Sequence, residues 1–427
     1  MSALLASRSI RVLCMGYNRQ LLAGMQYCLP KGTVTVFEEP DLIRNRSLDK
    51  ETEDVVGELV PCRYVDSTQA AYQAGQWHQS EPWHAIIPAQ EYATVAAADA
   101  SAVCGLPGAG RLAARVLRDK RLTGALADDV HIPVPRTIEV TAVNDILEML
   151  DDTSQGWILK PADRQASTGV QIVERREDLP KAWERLVSAR EGAFELDRHQ
   201  PRPFLAQERV LGQEISIEVL IADKLVLFVN VTEKTLAPGS AIEAGHLVPG
   251  RINAGVEKAI ALTRRLASEL RFRTGTLHAE WMVTATGPVL IECAGRVAGD
   301  SIFELISLAY YHDFYRSLLE VMMGLNPILP DRASRFASIT FLSALPEVAG
   351  RSDEHQGELG LGDGVVRGRL RRDVRIAKGY SASSSWERLG EAVVVGATAE
   401  QALERSATQL RKLELAAFEQ YSNEAGR

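Results

Sequence analysis

Short apolar runs broken by glycine and acidic residues set the rhythm of the first part of the chain. Ile10 to Met15 is largely apolar and ends at Gly16; a helical stretch from about Arg19 to Cys28 follows. Thr33–Phe37 (TVTVF) predicts a second strand, closed by Glu38 and Glu39. Strand, glycine turn, helix and strand open a doubly wound α/β unit. Ala85–Ala89 (AIIPA) predicts another buried strand. The acidic pair resembles the ribose-binding position of dinucleotide folds, yet the segment after the first strand reads GYNRQL and lacks the Gly-rich fingerprint. Residues 1–110 are therefore expected to form a Rossmann-like domain without an assigned ligand.

From Gly110 to Ala127 the pattern predicts one helix rich in Arg and Lys. Pro133 and Pro135 in IPVPRT force an extended path, and Ile146 to Leu150 close a short helix. WILKPADRQASTGVQIVE (157–174) predicts strand, Gly/Ser loop and strand, with a helix over 180–192 and a β-rich stretch over 204–231. Val256, Ile260, Leu262, Leu266 and Leu270 recur at helical spacing. HAEWMVTATGPVLIECAGR (278–296) predicts a hairpin, and Ile302 to Met323 a helix. Beyond about Pro330 the short strands SITFLSAL and EAVVVGAT alternate with Gly-rich turns before a final helix near Thr398, which predicts a small α+β appendage.

With 427 residues the chain exceeds one ordinary core, so two or three domains are expected. A hydrophobic fraction of 46% and a charged fraction of 24% are those of a soluble globular protein. The net charge of −8 argues against general attraction to nucleic acid or anionic membrane. Cys14, Cys28, Cys62, Cys104 and Cys293 are odd in number and form no CxxC pair, against both a disulfide framework and a structural zinc site. The N-terminus lacks an apolar core followed by a cleavage site, and no apolar run reaches the ~20 residues that span a bilayer. A cytoplasmic enzyme is the expectation.

The hairpin carries the sharpest chemistry. Strands paired symmetrically about Thr286, with Val283 and Val289 flanking the turn, set Glu280 opposite Glu292, with Cβ atoms roughly 4.5–5.5 Å apart. Two like charges there oppose each other unless a hard cation lies between them, and carboxylates with phosphate oxygens are the usual magnesium environment. Arg296, four residues past Glu292, is placed to meet an anion near that cation. Trp281, Val289 and Ile291 imply a buried opposite face. The plain alternative is an exposed hairpin with two solvated glutamates.

Lys160 ends the apolar run WIL and can point into a cleft to neutralise phosphate charge. The loop that follows, to Gly169, offers backbone N–H groups for phosphate oxygens, although no GxxxxGK[ST] loop exists in the chain. The alternative is a surface turn; for Lys120, in RDKRL, it is a solvated helix lysine. Glu208 and Glu214 flank Gly212. In the second strand Glu214, Ser216 and Glu218 share one face, Ile215, Ile217 and Val219 the other. A carboxylate at a strand edge can accept hydrogen bonds from ribose; the alternative is the polar face of a half-exposed strand.

Taken in order, these motifs resemble the ATP-grasp superfamily, in layout over about residues 1–420 and specifically over about 115–300. The resemblance implies an α/β and α+β fold: a Rossmann-like domain over 1–110, a two-lobed ATP-binding core over 111–330 with a small lid lobe at about 153–210, and a small C-terminal α+β domain over 331–427. It implies ATP between two subdomains. Lys120 and Lys160 would contact the phosphates, and Ser167, Thr168 and Gly169 would cover them. Gln207, Glu208 and Val210 would line the adenine site, and Glu214 would bind ribose. Glu280 and Glu292 would hold magnesium, with manganese as a substitute. ECAGRVAGDSI and IEAGHLVPG are similar to segments of the L-amino acid ligases, the dipeptide synthetases of antibiotic pathways and secondary metabolism. On that likeness Arg296 and Gly299 would meet the substrate carboxylate or acyl phosphate, and Glu243 and His246 would face the amino-acid site. The chain departs from the superfamily at Ala294, where many members carry an asparagine; one metal-ligand oxygen is missing there.

The implied reaction is amide formation through an acyl phosphate, with Lys160 and Arg296 as catalytic cations and ADP as product. Its partners are small carboxylates and amines, amino acids foremost, with no nucleic acid or membrane; a homodimer is the assembly to test. No nucleophilic side chain is needed, which agrees with the missing Ser/His/Asp or Cys/His signature. The rivals are bicarbonate-dependent or purine-pathway ATP-grasp chemistry, a non-catalytic nucleotide-binding module, and a Rossmann oxidoreductase.

Overall fold

The computed structural model describes residues 5, 9–50, 52–65, 67–147, 155–198, 202–345, 362–371 and 379–425, with side chains to Glu419. Three sheets organise them. The first is parallel, β3-β2-β1-β4, built from β1 (Val12–Met15), β2 (Val34–Glu38), β3 (Val56–Pro61) and β4 (Ala85–Pro88). Every residue of β1 and β2 is buried, as continuous apolar runs in a two-sided parallel sheet require. Glu38 and Glu39 are fully buried inside the protein. Glu38 accepts from the Tyr17 amide (2.7 Å) and the Tyr64 hydroxyl (2.6 Å). Glu39 accepts from the amides of Tyr64 and Val65 and from Arg198. Both carboxylates are saturated inside the protein, so the acidic pair that resembled a ribose site is a packing device.

The second sheet, β5-β8-β6-β7, is antiparallel: β5 (Thr137–Val140), β6 (Trp157–Pro161), β7 (Gln171–Val173) and β8 (Phe204–Glu208). Trp157, Leu159, Val173 and Ala206 close its core against Leu179, Ala182 and Leu186 of the helix Leu179–Ser188. That helix ends before residue 192 because Ala189 turns extended, with ψ 139°.

The third sheet is the scaffold: β9 (Gln213–Ala222), β10 (Leu225–Leu236), β11 (Glu243–Val248), β12 (Gly275–Thr284), β13 (Gly287–Ala294), β14 (Phe336–Leu342), β15 (Val365–Leu370) and β16 (Gly390–Gly396). Their order is β13-β12-β9-β10-β11-β14-β16-β15. The C-terminal strands are thus not a detached appendage, because β14 pairs with β11 (His246 opposite Ile339) and extends the same sheet. One apolar cluster joins Val12 and Cys14 of β1, Phe303 and Phe314, Ile339 and Phe341 of β14, and Val393 of β16. The fold therefore brings the chain's two ends onto one core.

Two helices expected to be continuous are broken by local caps. Asp119, at φ −120° and ψ 114°, separates Arg111–Arg118 from Lys120–Asp129 and accepts from the Arg121 amide at 2.9 Å. Tyr311, at φ 54°, and the cap Asp313 separate Ile302–Tyr310 from Phe314–Met322. The apolar period runs through both breaks; the short acidic side chain binds the free N–H groups and decides the end. The short helix near Ile146 is Val143–Leu147; residues 148–150 lie outside the described residues, as do 153–154 and 199–201 of the expected lid. Among the described residues no helix is long and apolar enough to cross a membrane.

Candidate active site

The second and third sheets and the parallel domain enclose a cleft of about 970 Å³. The hairpin forms one wall. Thr284 pairs with Gly287, so a two-residue turn at Ala285–Thr286 replaces the three-residue turn expected, and Val283 faces Pro288 instead of Val289. Continued in that register, Glu280 would oppose Ile291. A β-bulge between Glu280 and Trp281 restores the pair, and Glu280 faces Glu292. At the bulge the Leu290 amide donates outward to the Pro133 carbonyl at 2.8 Å, so the extended IPVPRT segment occupies this edge of β13. The face buried beside Trp281 is formed by Leu290 and Cys293, and Ile291 turns into the cleft.

Lys160 and Lys120 face that wall. Lys160, buried at the end of β6, donates to Gln207 Oε1 at 2.9 Å. Burial pushes its ammonium down to about 8, with Glu292 opposing and Lys120 adding to the fall. The break at Asp119 makes Lys120 the first residue of its helix, where Nζ reaches the Arg164 carbonyl (2.7 Å) and Glu292 Oε1 (3.1 Å). Gln207 also donates to Thr137 Oγ1 at 3.0 Å. Glu208, Val210 and Glu214 line the same cleft.

The loop between β6 and β7 is held in an unusual shape. Ala166, Ser167 and Gly169 have φ values of 57°, 55° and 77°, a conformation that costs non-glycine residues energy and persists only where the surroundings impose it. The surroundings here are the Ser167 hydroxyl on the Ala241 carbonyl (3.0 Å) and the Ser385 amide on the Ala166 carbonyl (3.1 Å). Ser167 and Thr168 line the cleft, and Thr168 Oγ1 is buried without a hydrogen-bond partner among the described residues. Gly169 does not line it; a Cβ there would lie 3.0 Å from that of Ala189.

Arg296 lines the cleft too, but its Nε is bound to Glu91 Oε2 at 2.7 Å, which ties it to the parallel domain. Glu243 and Gly299 are on the wall, and His246, buried, lies 3.3 Å from Asp300 Oδ2.

Residues 153–304 match the ATP-grasp domain as a protein family. This chain carries an ATP-grasp domain. The phosphoribosylamine–glycine ligase of Methanothermobacter thermautotrophicus is 25% identical over 260 residues, 56% of this chain and 58% of that protein. The alanine–anticapsin ligase of Bacillus subtilis is 26% identical over 249 residues, 53% of this chain and 51% of that one. The chain thus spans little more than half the length of these curated relatives. Among solved structures, an L-amino acid ligase from Bacillus licheniformis superposes with a TM-score of 0.71 at 17% identity, covering 95% of this chain and 98% of that one. The likeness establishes the fold over nearly the whole chain.

Within the ATP-grasp domain, the residues that sequence reasoning missed are those that compensate the carboxylates. Lys234 of β10 is buried among three of them: Glu280 Oε1 at 2.6 Å, Glu214 Oε1 at 3.2 Å and Glu243 Oε1 at 3.4 Å. His278 bridges Glu218 (3.0 Å) and Glu280 (3.1 Å). Burial lowers the His278 pKa, but the hydrogen bonds to Glu218 and Glu280 outweigh it and push it up to about 9. Burial also favours a neutral Glu280; Lys234 and His278 hold it well below the usual carboxylate range. A signal existed: Asn230, Thr232 and Lys234 form a period-two polar face in an apolar strand.

For a divalent cation the donor set is Glu280 and Glu292, side by side and partly exposed to the cleft. Ala294 is buried and offers no side-chain oxygen, and among the described residues no three His, Cys, Asp or Glu side chains form a metal cluster. Two carboxylates fit magnesium when phosphate oxygens and water complete its shell, since this ion keeps several non-protein ligands.

Proposed function

We propose that the chain is an ATP-dependent carboxylate–amine ligase that forms an amide through an acyl phosphate, with an amino acid as one substrate. The observation that carries this reading is the opposition of two walls: paired Glu280 and Glu292 on one, Lys160 and Lys120 on the other, the latter 3.1 Å from Glu292. The division expected from sequence, with a lid at about 153–210 over a core at 111–330, suits a nucleotide held between them.

In this reading Lys160 and Lys120 bind the phosphates of ATP, with the strained loop above. Glu214 takes the ribose, and Gln207, Glu208 and Val210 the adenine. Glu280 and Glu292 would hold magnesium, which would supply neutralisation of phosphate charge. A carboxylate oxygen of the substrate attacks the γ-phosphorus, and the bond to the β,γ-bridging oxygen breaks, releasing ADP. Lys160 and Arg296 offset the charge that develops. An amine nitrogen then attacks the acyl carbon, loses a proton, and phosphate departs. The loop at 163–169 excludes water, which would otherwise hydrolyse the intermediate.

ADP release across a matrix of amino acids, with product masses, tests this. Amino-acid-dependent ADP release with a mass equal to a condensed pair is expected. Release that requires bicarbonate, or a phosphoribosyl amine as the likeness to phosphoribosylamine–glycine ligase suggests, would replace it.

Two further outcomes are expected. Glu292→Gln should raise the magnesium concentration for half-maximal activity by at least about tenfold; an unchanged magnesium titration would remove Glu292 from the metal site. The second concerns pH. Lys160 carries its proton below about 8 and loses it above, so kcat/KM for ATP, which reports the free enzyme, should fall as pH rises through that value. In Lys160→Arg, whose guanidinium stays charged, the fall should vanish; a fall that persisted would assign it to another group.

A further inference from the structure

Arg388, two residues before β16, is buried in the wall of the cleft. Its Nη1 donates to Asp300 Oδ1 at 2.6 Å. Its Nη2 donates to Glu243 Oε2 at 2.8 Å and to the Glu243 carbonyl at 3.0 Å. The guanidinium lies over the Phe341 ring, 3.8 Å from its centroid. One side chain from the C-terminal segment thereby fixes β11, the loop after β13, and β14. The other oxygen of Asp300 lies 3.3 Å from His246 Nε2, so the grip extends to the imidazole.

A buried guanidinium is a costly way to join strands, because an apolar side chain would do so without desolvation. What Arg388 does that leucine could not is hold two carboxylates at a fixed separation. Glu243 and Asp300 both line the cleft, with side chains 14% and 26% exposed. A carboxylate has about four acceptor positions, and Arg388, His246, Lys234 and Ser385 occupy only part of that capacity. Two carboxylates held open to a cleft receive a cation with several N–H donors, which describes a primary ammonium group.

We propose that Arg388 is a positioning residue that holds Glu243 and Asp300 as a cradle for the ammonium group of the carboxylate-donating substrate. The proposal rests on the ligase reading, and it selects an amino acid over a plain carboxylic acid through residues on three separate elements.

The test uses the full chain with ATP and magnesium, hydroxylamine as the amine, and either L-alanine or propionate, which lacks the ammonium group, as the carboxylate. Wild type should favour L-alanine in kcat/KM by at least about tenfold. In Arg388→Gln the preference should narrow to about threefold or less, through a raised KM for L-alanine, while the KM for ATP stays within about twofold. Arg388→Lys, which keeps one charge and one contact, should recover part of the preference. An unchanged preference in Arg388→Gln, or an equal fall for both carboxylates, overturns the proposal. Should wild type release no ADP with any carboxylate, the ligase reading fails on its own. Calorimetric titration of L-alanine and propionate into wild type and Arg388→Lys then decides; no L-alanine preference, or one the substitution leaves unchanged, overturns the cradle.

Discussion

Lys160→Met is expected to lower ADP formation by roughly 100- to 1000-fold, the loss typical of removing one preorganised donor to developing charge, while the protein stays folded. The second half of that expectation is the discriminating one. Lys160 is buried with a hydrogen bond to Gln207, and burial pushes its pKa down to about 8. The unfolded lysine titrates near 10.5. Between those values the unfolded chain binds more protons than the native state, so this group makes stability rise with pH across that window. Below it, the desolvated ammonium works against the fold. A methionine of similar shape removes that opposition, and Gln207 keeps its bond to Thr137. The melting temperature of the variant at neutral pH should therefore not fall below that of wild type, and the contribution of this lysine to the rise between about 8 and 10.5 should disappear. Near-normal turnover would sink the assignment of Lys160 to the phosphates. Lost activity accompanied by lost structure would assign it to the core instead.

The sequence carried the sheet elements well because their signals are local. An apolar run such as Val12–Met15 reports burial directly; the alternation of Ile215, Ile217 and Val219 against Glu214, Ser216 and Glu218 reports the strand, although Ser216 and Glu218 are buried as well. Glu280 and Glu292 were placed opposite each other from spacing alone, though by a symmetric three-residue turn. The chain reaches the same pair by a shorter turn plus a bulge. Period-two reasoning cannot see the bulge, because its position follows from the Leu290 amide bonding the Pro133 carbonyl, more than 150 residues away along the chain. The helix breaks at Asp119 and Tyr311 were hidden for a different reason: the apolar stripe continues through them while a side-chain cap competes with the backbone. The compensating cations were the largest omission. His278 opens the hairpin without an expected role, and Lys234 and Arg388 lie outside the elements expected from sequence; the three acquire meaning only where the large sheet brings β9 to β12 and β14 together with the segment before β16. The Glu38 and Glu39 pair is the opposite case. A motif-like acidic pair was legible, but its partners, Tyr17, Tyr64 and Arg198, are remote in sequence.

Lys234→Met should be the most destabilising single change in the cleft, and its pH dependence reveals the cause. The ammonium touches Glu280, Glu214 and Glu243 within 3.4 Å, and removing one partner of a buried ion pair costs about 3–5 kcal/mol. In the wild type, burial favours neutral Glu280, yet Lys234 and His278 keep it well below the usual range; Glu214 is raised by burial, with Lys234 opposing. Without Lys234 burial is unopposed by it at Glu214 and opposed at Glu280 by His278 alone, so both should rise. A carboxylate raised in the folded state contributes stability below its unfolded value, here 4.5, and loses it as pH rises through the folded value. The deficit of Lys234→Met relative to wild type should therefore be small near pH 4.5 and grow toward neutrality. Millimolar magnesium should recover more stability in the variant than in wild type, since a divalent cation can replace the lost charge beside Glu280 and binding to the native state adds stability by mass action. A deficit equal at pH 5 and pH 8 and indifferent to magnesium would mean that Lys234 acts through packing. The cluster of Glu280, Glu214 and Glu243 would then be stable without its cation, and the need for a positive charge among them would fail with it.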